Sequence, residues 1–342
     1  MKNYSITFTA PWQTELREEE MNTELKQGQV LVQKKYSLIS TGTELACLSG
    51  NESWFKMPEV AGYCCVSEVI ASASDKPDFA KGKLLYHYGT HSLYQIIGDD
   101  EFVVLVQSQD NLQNVPMARM ATIAFTAIRV SDIELGDYVA VSGLGLVGNM
   151  AAQLANLCGA RVIGVDPSGM RRQKAAEAGV EFLLPPENAA EEIRNITSGE
   201  APTGGVHTLI EATGIPQVAY DMLPSIGYQG EIIFLGTPRG DTTGNLADVF
   251  CYSHLEGRGC ITFKGAHEWR YPVEKDKFVK HSIRRNTEIA LHLMQTGKLY
   301  VDGLISNVVS PKDACGIYSA IAKNRDGYLG VIIDWSKELF RN

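Results

Sequence analysis

The chain has 342 residues, 44% of them hydrophobic and 21% charged, and a formal net charge of −9. That composition suits a soluble globular protein, and at about 150 residues per domain the length implies about two domains. The acidic balance excludes a dedicated nucleic-acid binder, which carries a basic domain or stripe, and no apolar run approaches the roughly 18 residues of a membrane span.

The first ten residues interleave polar side chains with Ile6 and Phe8. They lack the basic-then-apolar layout of a signal peptide and predict a first strand. Segments 29–33, 66–70 and 102–106 are strand-like, with Gly28, Gly42, Gly62, Gly82 and Gly98 between such segments; this rhythm predicts a small, mostly β barrel or sandwich. Residues 116–130 have helical length and small side chains, and Gly136-Asp137 opens a turn. From Tyr138 the pattern alternates. Strands are expected at 138–142, 161–165, 181–184, 206–210, 231–235 and 260–263, with helices at 146–158, 169–178, 189–196 and 217–225. Such alternation implies βαβ crossovers and a parallel sheet covered on both faces. A helix over 277–294, a strand at 305–309, a helix over 311–323 and a last strand at 330–334 complete the reading. A terminal strand that joined the first domain would make the α/β unit an insertion.

Seven cysteines are present (Cys47, Cys64, Cys65, Cys158, Cys251, Cys260 and Cys315), and no two stand in C-x-x-C spacing. Neither a zinc knuckle nor a dithiol redox motif is suggested. An odd number without an export signal suits a reducing, cytoplasmic setting. The adjacent Cys64 and Cys65 are expected to be ordinary buried thiols on opposite faces of a strand.

Gly143-Leu144-Gly145-Leu146-Val147-Gly148 is a G-x-G-x-x-G after a predicted strand and at the mouth of a predicted helix. The first glycine permits the tight turn, the second admits a pyrophosphate close to the backbone, and the third lets helix and strand pack. Free N–H groups and the positive dipole end at the helix start then attract phosphates. Asp166 ends the next strand, where an acid accepts the adenine-ribose hydroxyls and repels a 2′-phosphate. NAD is therefore expected over NADP, although Arg171 and Arg172 stand close enough to pair with an extra phosphate.

With these residues in place, the chain resembles the medium-chain dehydrogenase/reductase superfamily, the fold of zinc alcohol, sorbitol and threonine dehydrogenases. The resemblance spans segment 30–50, segment 58–70 (PEVAGYCCVSEVI), segment 136–166, and the turns Glu211-Ala-Thr-Gly214 and Leu235-Gly-Thr-Pro238. It implies a doubly wound Rossmann domain of the α/β class at 120–268, inserted in a GroES-like, mostly β catalytic domain made of 1–119 and 269–342. It also implies cofactor contacts at Gly143, Gly145, Leu146, Val147, Gly148, Asp166, Arg171, Thr213, Gly236 and Thr237. Ala266 and His267 fall where the family's backbone meets the nicotinamide carboxamide, so His267, Glu268 and Trp269 would border the substrate.

The departures concern the metal. Thr41 stands where the zinc enzymes carry a cysteine, Tyr63 where they carry a histidine, Cys64 where a glutamate follows it, and Ala121 where the third ligand falls. A catalytic zinc needs about three N, S or carboxylate ligands, so no zinc is expected, and the chain resembles a zinc-lacking branch. Without a metal, a protein acid/base must handle the hydroxyl proton. Thr43 sits at the family's proton-relay hydroxyl, Glu44 is a carboxylate beside it, Tyr63 fills the lost histidine's place, and His91 offers an imidazole to relay a proton. The expected activity is zinc-independent, NAD-dependent oxidation of a secondary alcohol in a polyol, sugar or similar hydroxylated small molecule. The alternatives are an NADPH-dependent quinone or enoyl reductase and a non-catalytic cofactor-binding protein. The resemblance further implies a homodimer or homotetramer, and neither a nucleic acid nor a membrane is expected as a partner.

Overall fold

β-Branched and aliphatic side chains at alternate positions give the first part of the chain its strands. In the computed structural model, which describes residues 1–199 and 204–337, these are β1 (Lys2–Ala10), β2 (Gln13–Glu20), β3 (Gln29–Ile39), β4 (Glu59–Val60), β5 (Cys65–Ser72), β6 (Leu84–His87), β7 (Tyr94–Gly98) and β8 (Val103–Val106), with the short helix α1 (Thr43–Leu48) after β3. Pro116 ends up in a 3-10 turn, and the long helix α2 covers Ala118–Val130.

The alternating part follows as β9 (Tyr138–Ser142), α3 (Leu146–Leu157), β10 (Arg161–Val165), α4 (Gly169–Glu177), β11 (Phe182–Leu184), α5 (Ala189–Ile196), β12 (Val206–Glu211), α6 (Pro216–Met222), β13 (Ile226–Phe234), α7 (Leu246–His254), β14 (Thr262–Gly265) and α8 (Ile283–Gln295). The chain then runs through β15 (Ile305–Val309), α9 (Pro311–Lys323) and β16 (Gly330–Asp334).

Strands β9 to β14 form one sheet in the order β11-β10-β9-β12-β13-β14, parallel throughout. The order reverses at β9. Strands β10 and β11 lie to one side and β12 to β14 to the other, which opens a crevice beyond the carboxyl ends of β9 and β12, where doubly wound sheets take their ligands. The sheet strands read as continuous apolar runs because both faces are covered: Val139, Ala140, Val141, Val162, Ile163, Leu209, Ile210, Ile232 and Ile233 have no exposed surface.

A second sheet has the order β15-β16-β3-β5-β6-β8, with β7 also on β3. Strand β16 pairs antiparallel with β3, Val331 opposite Ile39 and Ile333 opposite Ser37, so the end of the chain completes the sheet begun at its start. Here Ile6, Phe8, Ile39, Leu45, Tyr318, Ile321, Val331 and Ile333 form one core cluster. Each large apolar side chain buried there stabilises by about 1.5–3 kcal/mol.

The chain accordingly divides into two compact units, one of residues 1–119 with 304 onward and the other of residues 120–303. The second unit runs past the expected boundary at 268, because the segment after β14 docks on it through specific polar pairs. Thr287 on α8 is 3.2 Å from the Thr122 hydroxyl, and Gln153 both accepts from Tyr300 N at 2.7 Å and donates to Tyr300 O at 2.9 Å. These partners are distant in sequence and invisible to periodicity. Residues 338–342 of the expected final segment lie outside the described residues. Element boundaries also moved. Cys260 takes a left-handed φ of 51°, which keeps it out of β14, and Ser282 caps α8 by accepting from Arg285 N, so that helix begins after the expected 277. No helix among the described residues is long and apolar enough to cross a membrane.

Candidate active site

The glycine loop leaves β9 at its carboxyl end. Gly143 has φ +87°, a conformation costly for any residue with a Cβ, and an added Cβ would press on Thr213. Gly148 sits on α3 so close to Gly143 that its Cβ would fall 1.8 Å from the Gly143 carbonyl oxygen. A Cβ on Gly145 would meet nothing within 4 Å. Gly145 is also the N-cap of α3 and offers no side-chain cap, so the first N–H groups of that helix, at Leu146, Val147 and Gly148, have no side-chain acceptor at the cap. This combination of open space and uncapped donors fits the diphosphate of a dinucleotide.

Asp166, 2% exposed at the end of β10, accepts from Leu144 N at 2.7 Å and from Ser168 N at 2.8 Å. The carboxylate thus ties the glycine loop to the turn that starts α4. Helix α4 itself is capped by Ser168, which accepts from Arg171 N. Arg171 lies 3.8 Å from Asp166 through Nη1, and Arg172 donates to the Pro167 carbonyl at 3.0 Å.

Across the switch point, Glu211 at the end of β12 accepts from Thr213 N at 2.7 Å, from the Thr213 hydroxyl and from Gly214 N at 3.1 Å. Burial raises its carboxyl above the usual range, against those hydrogen bonds. Gly214 (φ +67°) and Gly236 are in backbone contact, since a Cβ on either would come within 2.4 Å of the other turn. Thr213, Gly236 and Thr237 are therefore gathered beside the loop of Gly143. Ala266 is buried and donates to Phe234 O at 2.9 Å; His267 and Trp269 are exposed, and Glu268 between them is buried.

The other candidates lie in the first unit. Glu44 in the first turn of α1 is 2% exposed and His91 is fully buried. Glu44 accepts from Ser40 N at 2.8 Å, from His91 Nε2 at 3.0 Å and from the Tyr318 hydroxyl. The other imidazole nitrogen, Nδ1, meets Ser37 Oγ at 2.8 Å, and Trp335 Nε1 donates to the same Oγ at 2.9 Å. The carboxylate only accepts, so the network assigns His91 as the Nε2–H tautomer, with Nδ1 accepting from Ser37. Gly62 (φ +93°) backs onto this imidazole, and its Cβ would lie 2.6 Å from His91 Cγ.

Tyr63 is half-buried beside the network. Its phenol hydrogen-bonds with Ser40, and Arg119 in the first turn of α2 places its guanidinium carbon 5.4 Å from the Tyr63 ring centroid and 4.1 Å from that of Tyr88. Burial drives the Tyr63 phenol well above its ordinary range, while the Arg119 charge and the Ser40 hydroxyl oppose that rise. The Cys64 thiol is pushed up by burial and then by Glu44. Thr43 is half-buried at the start of α1.

A family model described as "Zinc-binding dehydrogenase" matches residues 147–275. The chain is 28% identical over 255 residues to D-guloside 3-dehydrogenase of Escherichia coli (strain K12), covering 73% of this chain and 69% of that one. Among solved structures, a short chain alcohol dehydrogenase from E. coli CFT073 complexed with NADH superposes with a TM-score of 0.79 at 15% identity, covering 98% of this chain and 99% of that one. Galactitol-1-phosphate dehydrogenase from Escherichia coli gives a TM-score of 0.81 at 17% identity over 98% and 100%. The chain has the fold of the medium-chain dehydrogenases/reductases and carries a segment similar to the zinc-binding dehydrogenases.

The matched segment begins at Val147, inside the glycine loop, runs past Ala266 to residue 275, and contains none of the metal positions 41, 63 and 121. Those positions present a hydroxyl, a phenol and a methyl group, a donor set that does not fit a zinc ion. Among the described residues, no three His, Cys, Asp or Glu side chains come together as metal ligands would. Sequence reasoning paired neither Glu44 with His91 nor either of them with Tyr318 and Trp335, which arrive from the far end of the chain. It also passed over Arg119, whose signal was a lone cation in the small, apolar stretch that opens α2.

Proposed function

We propose that this protein is an NAD-dependent medium-chain dehydrogenase that oxidises a secondary alcohol of a polyol, sugar or glycoside without zinc. The observation that carries the reading is Asp166. It is a buried carboxylate bonded to the glycine loop at the carboxyl end of β10, where it meets a ribose diol favourably and a 2′-phosphate unfavourably. Nicotinamide, when bound, supplies the hydride acceptor. The residues that would hold the dinucleotide are Gly143, Gly145, Leu146, Val147 and Gly148 at the diphosphate, Asp166 at the ribose, and Thr213, Gly236, Thr237, Ala266 and His267 along the crevice. The relative that acts on a guloside supports a hydroxyl-rich substrate.

The donor set at Thr41, Tyr63 and Ala121 supports chemistry without a metal. Tyr63 is the side chain we assign to the substrate hydroxyl proton, with Thr43 at the start of α1 as the relay hydroxyl that the resemblance implies. Glu44 and His91 act as a brace in this reading, because every polar atom they carry is already engaged inside the protein. Arg171 gives specific support to a second reading, NADP use, since 3.8 Å from Asp166 it is poised to offset the carboxylate. The test is reduction of NAD and NADP by the purified protein with a panel of polyols, glycosides and sugar alcohols. Turnover with NAD on a hydroxylated substrate is expected; activity confined to NADPH with quinones or enoyl compounds would replace the reading.

A further inference from the structure

Arg119 is a strongly basic side chain with only 7% of its surface exposed. A buried cation is expensive unless something repays its desolvation. Part of that return is visible as two aromatic faces, Tyr88 at 4.1 Å and Tyr63 at 5.4 Å from the guanidinium carbon. Such stacking offsets desolvation partially. The same placement brings a fixed positive charge to the phenol that fills the histidine ligand's place in the zinc enzymes. The groups facing Tyr63 are the Ser40 hydroxyl at the end of β3, the Glu44 carboxylate on α1, the Cys64 thiol beside it in sequence, and Arg119 on α2. Burial, Cys64 and Glu44 disfavour a phenolate there; Arg119 and Ser40 favour it.

We propose that Arg119 takes over the charge role of a metal, acting as the positioning residue that makes Tyr63 a usable acid/base. The inference rests on the reading of the protein as an alcohol dehydrogenase. In the oxidation direction the Tyr63 phenolate oxygen takes the proton of the substrate hydroxyl. Nicotinamide, when bound, would supply the hydride acceptor, so that loss of the hydroxyl proton to Tyr63 and of the C–H hydrogen with its electron pair would leave a carbonyl. In the reverse direction the Tyr63 phenol returns the proton to the carbonyl oxygen. Arg119 stabilises the phenolate form in both directions, and Ser40 donates to it. An opposite charge within about 4–6 Å shifts such a group by about one to three pH units, so removing Arg119 is expected to raise the Tyr63 ionisation by about one to two.

The test places a difluorinated tyrosine at position 63, whose phenol ionises within the pH range a folded protein tolerates, and follows it by fluorine NMR with Arg119 present and with Arg119→Met. The titration midpoint should move up by one to two units in the variant and return most of the way with Arg119→Lys. In the unlabelled protein, Arg119→Met should lower kcat/KM for alcohol oxidation at neutral pH by about 10- to 100-fold, move the ascending limb of its pH profile upward, and leave NADH binding unchanged. Ser40→Ala should move the midpoint in the same direction by less, and it serves as the probe if Arg119→Met does not fold. An unmoved midpoint in both variants overturns the proposal, and so does lost activity with an unmoved ascending limb. A midpoint that moves in a protein that oxidises no alcohol upholds the Arg119–Tyr63 pair and rejects the dehydrogenase reading instead.

Discussion

His91 Nε2 lies 3.0 Å from Oε2 of Glu44, with 0% and 3% of the two side chains exposed. Neither group is oriented toward solvent. The carboxylate gathers three donors, from Ser40, His91 and Tyr318, and through them joins β3, α1 and α9. Burial, then Glu44, hold the Tyr318 phenol in its protonated, donating form by pushing its ionisation far above the ordinary range. Glu44→Gln would put an amide N–H2 among groups that themselves donate, so the variant is expected to lose about 2–4 kcal/mol of stability. Denaturant unfolding monitored by Trp335 fluorescence checks this, and a loss below about 0.5 kcal/mol would mean that the network holds little.

Gly62→Ala attacks the same brace from the backbone side. Its Cβ would lie 2.6 Å from His91 Cγ and 2.7 Å from the His91 backbone nitrogen, and φ at Gly62 is +93°. Overpacking and a left-handed residue with a Cβ each cost about 1–3 kcal/mol. The variant should therefore melt well below the parent by differential scanning calorimetry, with NADH binding by the second unit retained below that transition.

Gly148→Val tests the cofactor crevice. The new side chain would start 1.8 Å from the Gly143 carbonyl oxygen, and the loop and α3 must separate to admit it. A distortion of about 1–3 kcal/mol corresponds to about a 5- to 150-fold weaker Kd for NADH, read by fluorescence titration. An unchanged Kd would place the dinucleotide elsewhere.

The proposed preference for NAD rests on Asp166. Asp166→Ser keeps an acceptor for Leu144 N but removes the charge beside Arg171. The ratio of kcat/KM for NAD to that for NADP is expected to fall by about 10- to 100-fold, since a carboxylate facing a phosphate costs about 1.4–2.8 kcal/mol on that scale. A ratio that does not move would show that Asp166 serves only the loop.

Acid sensitivity follows from two imidazoles. Burial, then Arg129, Arg285 and Lys280, lower His281 from 6.5 to about 4, and burial with Lys34 holds His87 well below its ordinary value. The unfolded chain therefore binds these protons first, so stability is full above about pH 6.5 and is lost as the pH falls from there toward 4. His281→Gln should flatten that loss in a series of Tm values against pH, and a variant with the parent's slope would contradict the assignment.

Much of the fold was legible because its signals are local. Residues 138–142, 161–165, 189–196, 311–323 and 330–334 form the elements their patterns predict, each an apolar run or amphipathic turn bounded by glycine, proline or a cap. Strand β13 begins at Ile226, before its expected start at 231, because Gly227 and Gly230 resemble punctuation yet sit where backbone passes close to their Cβ positions, the Gly204 and Gly205 carbonyl oxygens 3.3 Å from the first and the His207 carbonyl oxygen 2.9 Å from the second. The glycine loop and Asp166 were legible for the same local reason. Tyr318 and Trp335 were not, since no spacing rule links them to Glu44 or to Ser37. The role of His91 followed from that gap: an imidazole with both nitrogens engaged looks in sequence like one that is free to relay protons.

Dehydrogenation without a metal is tested most directly by turnover of NAD with a hydroxylated substrate after exhaustive dialysis against a strong zinc chelator. Unchanged kcat, with no gain on adding zinc back, is the predicted result. Loss of activity on chelation that zinc restores would contradict it.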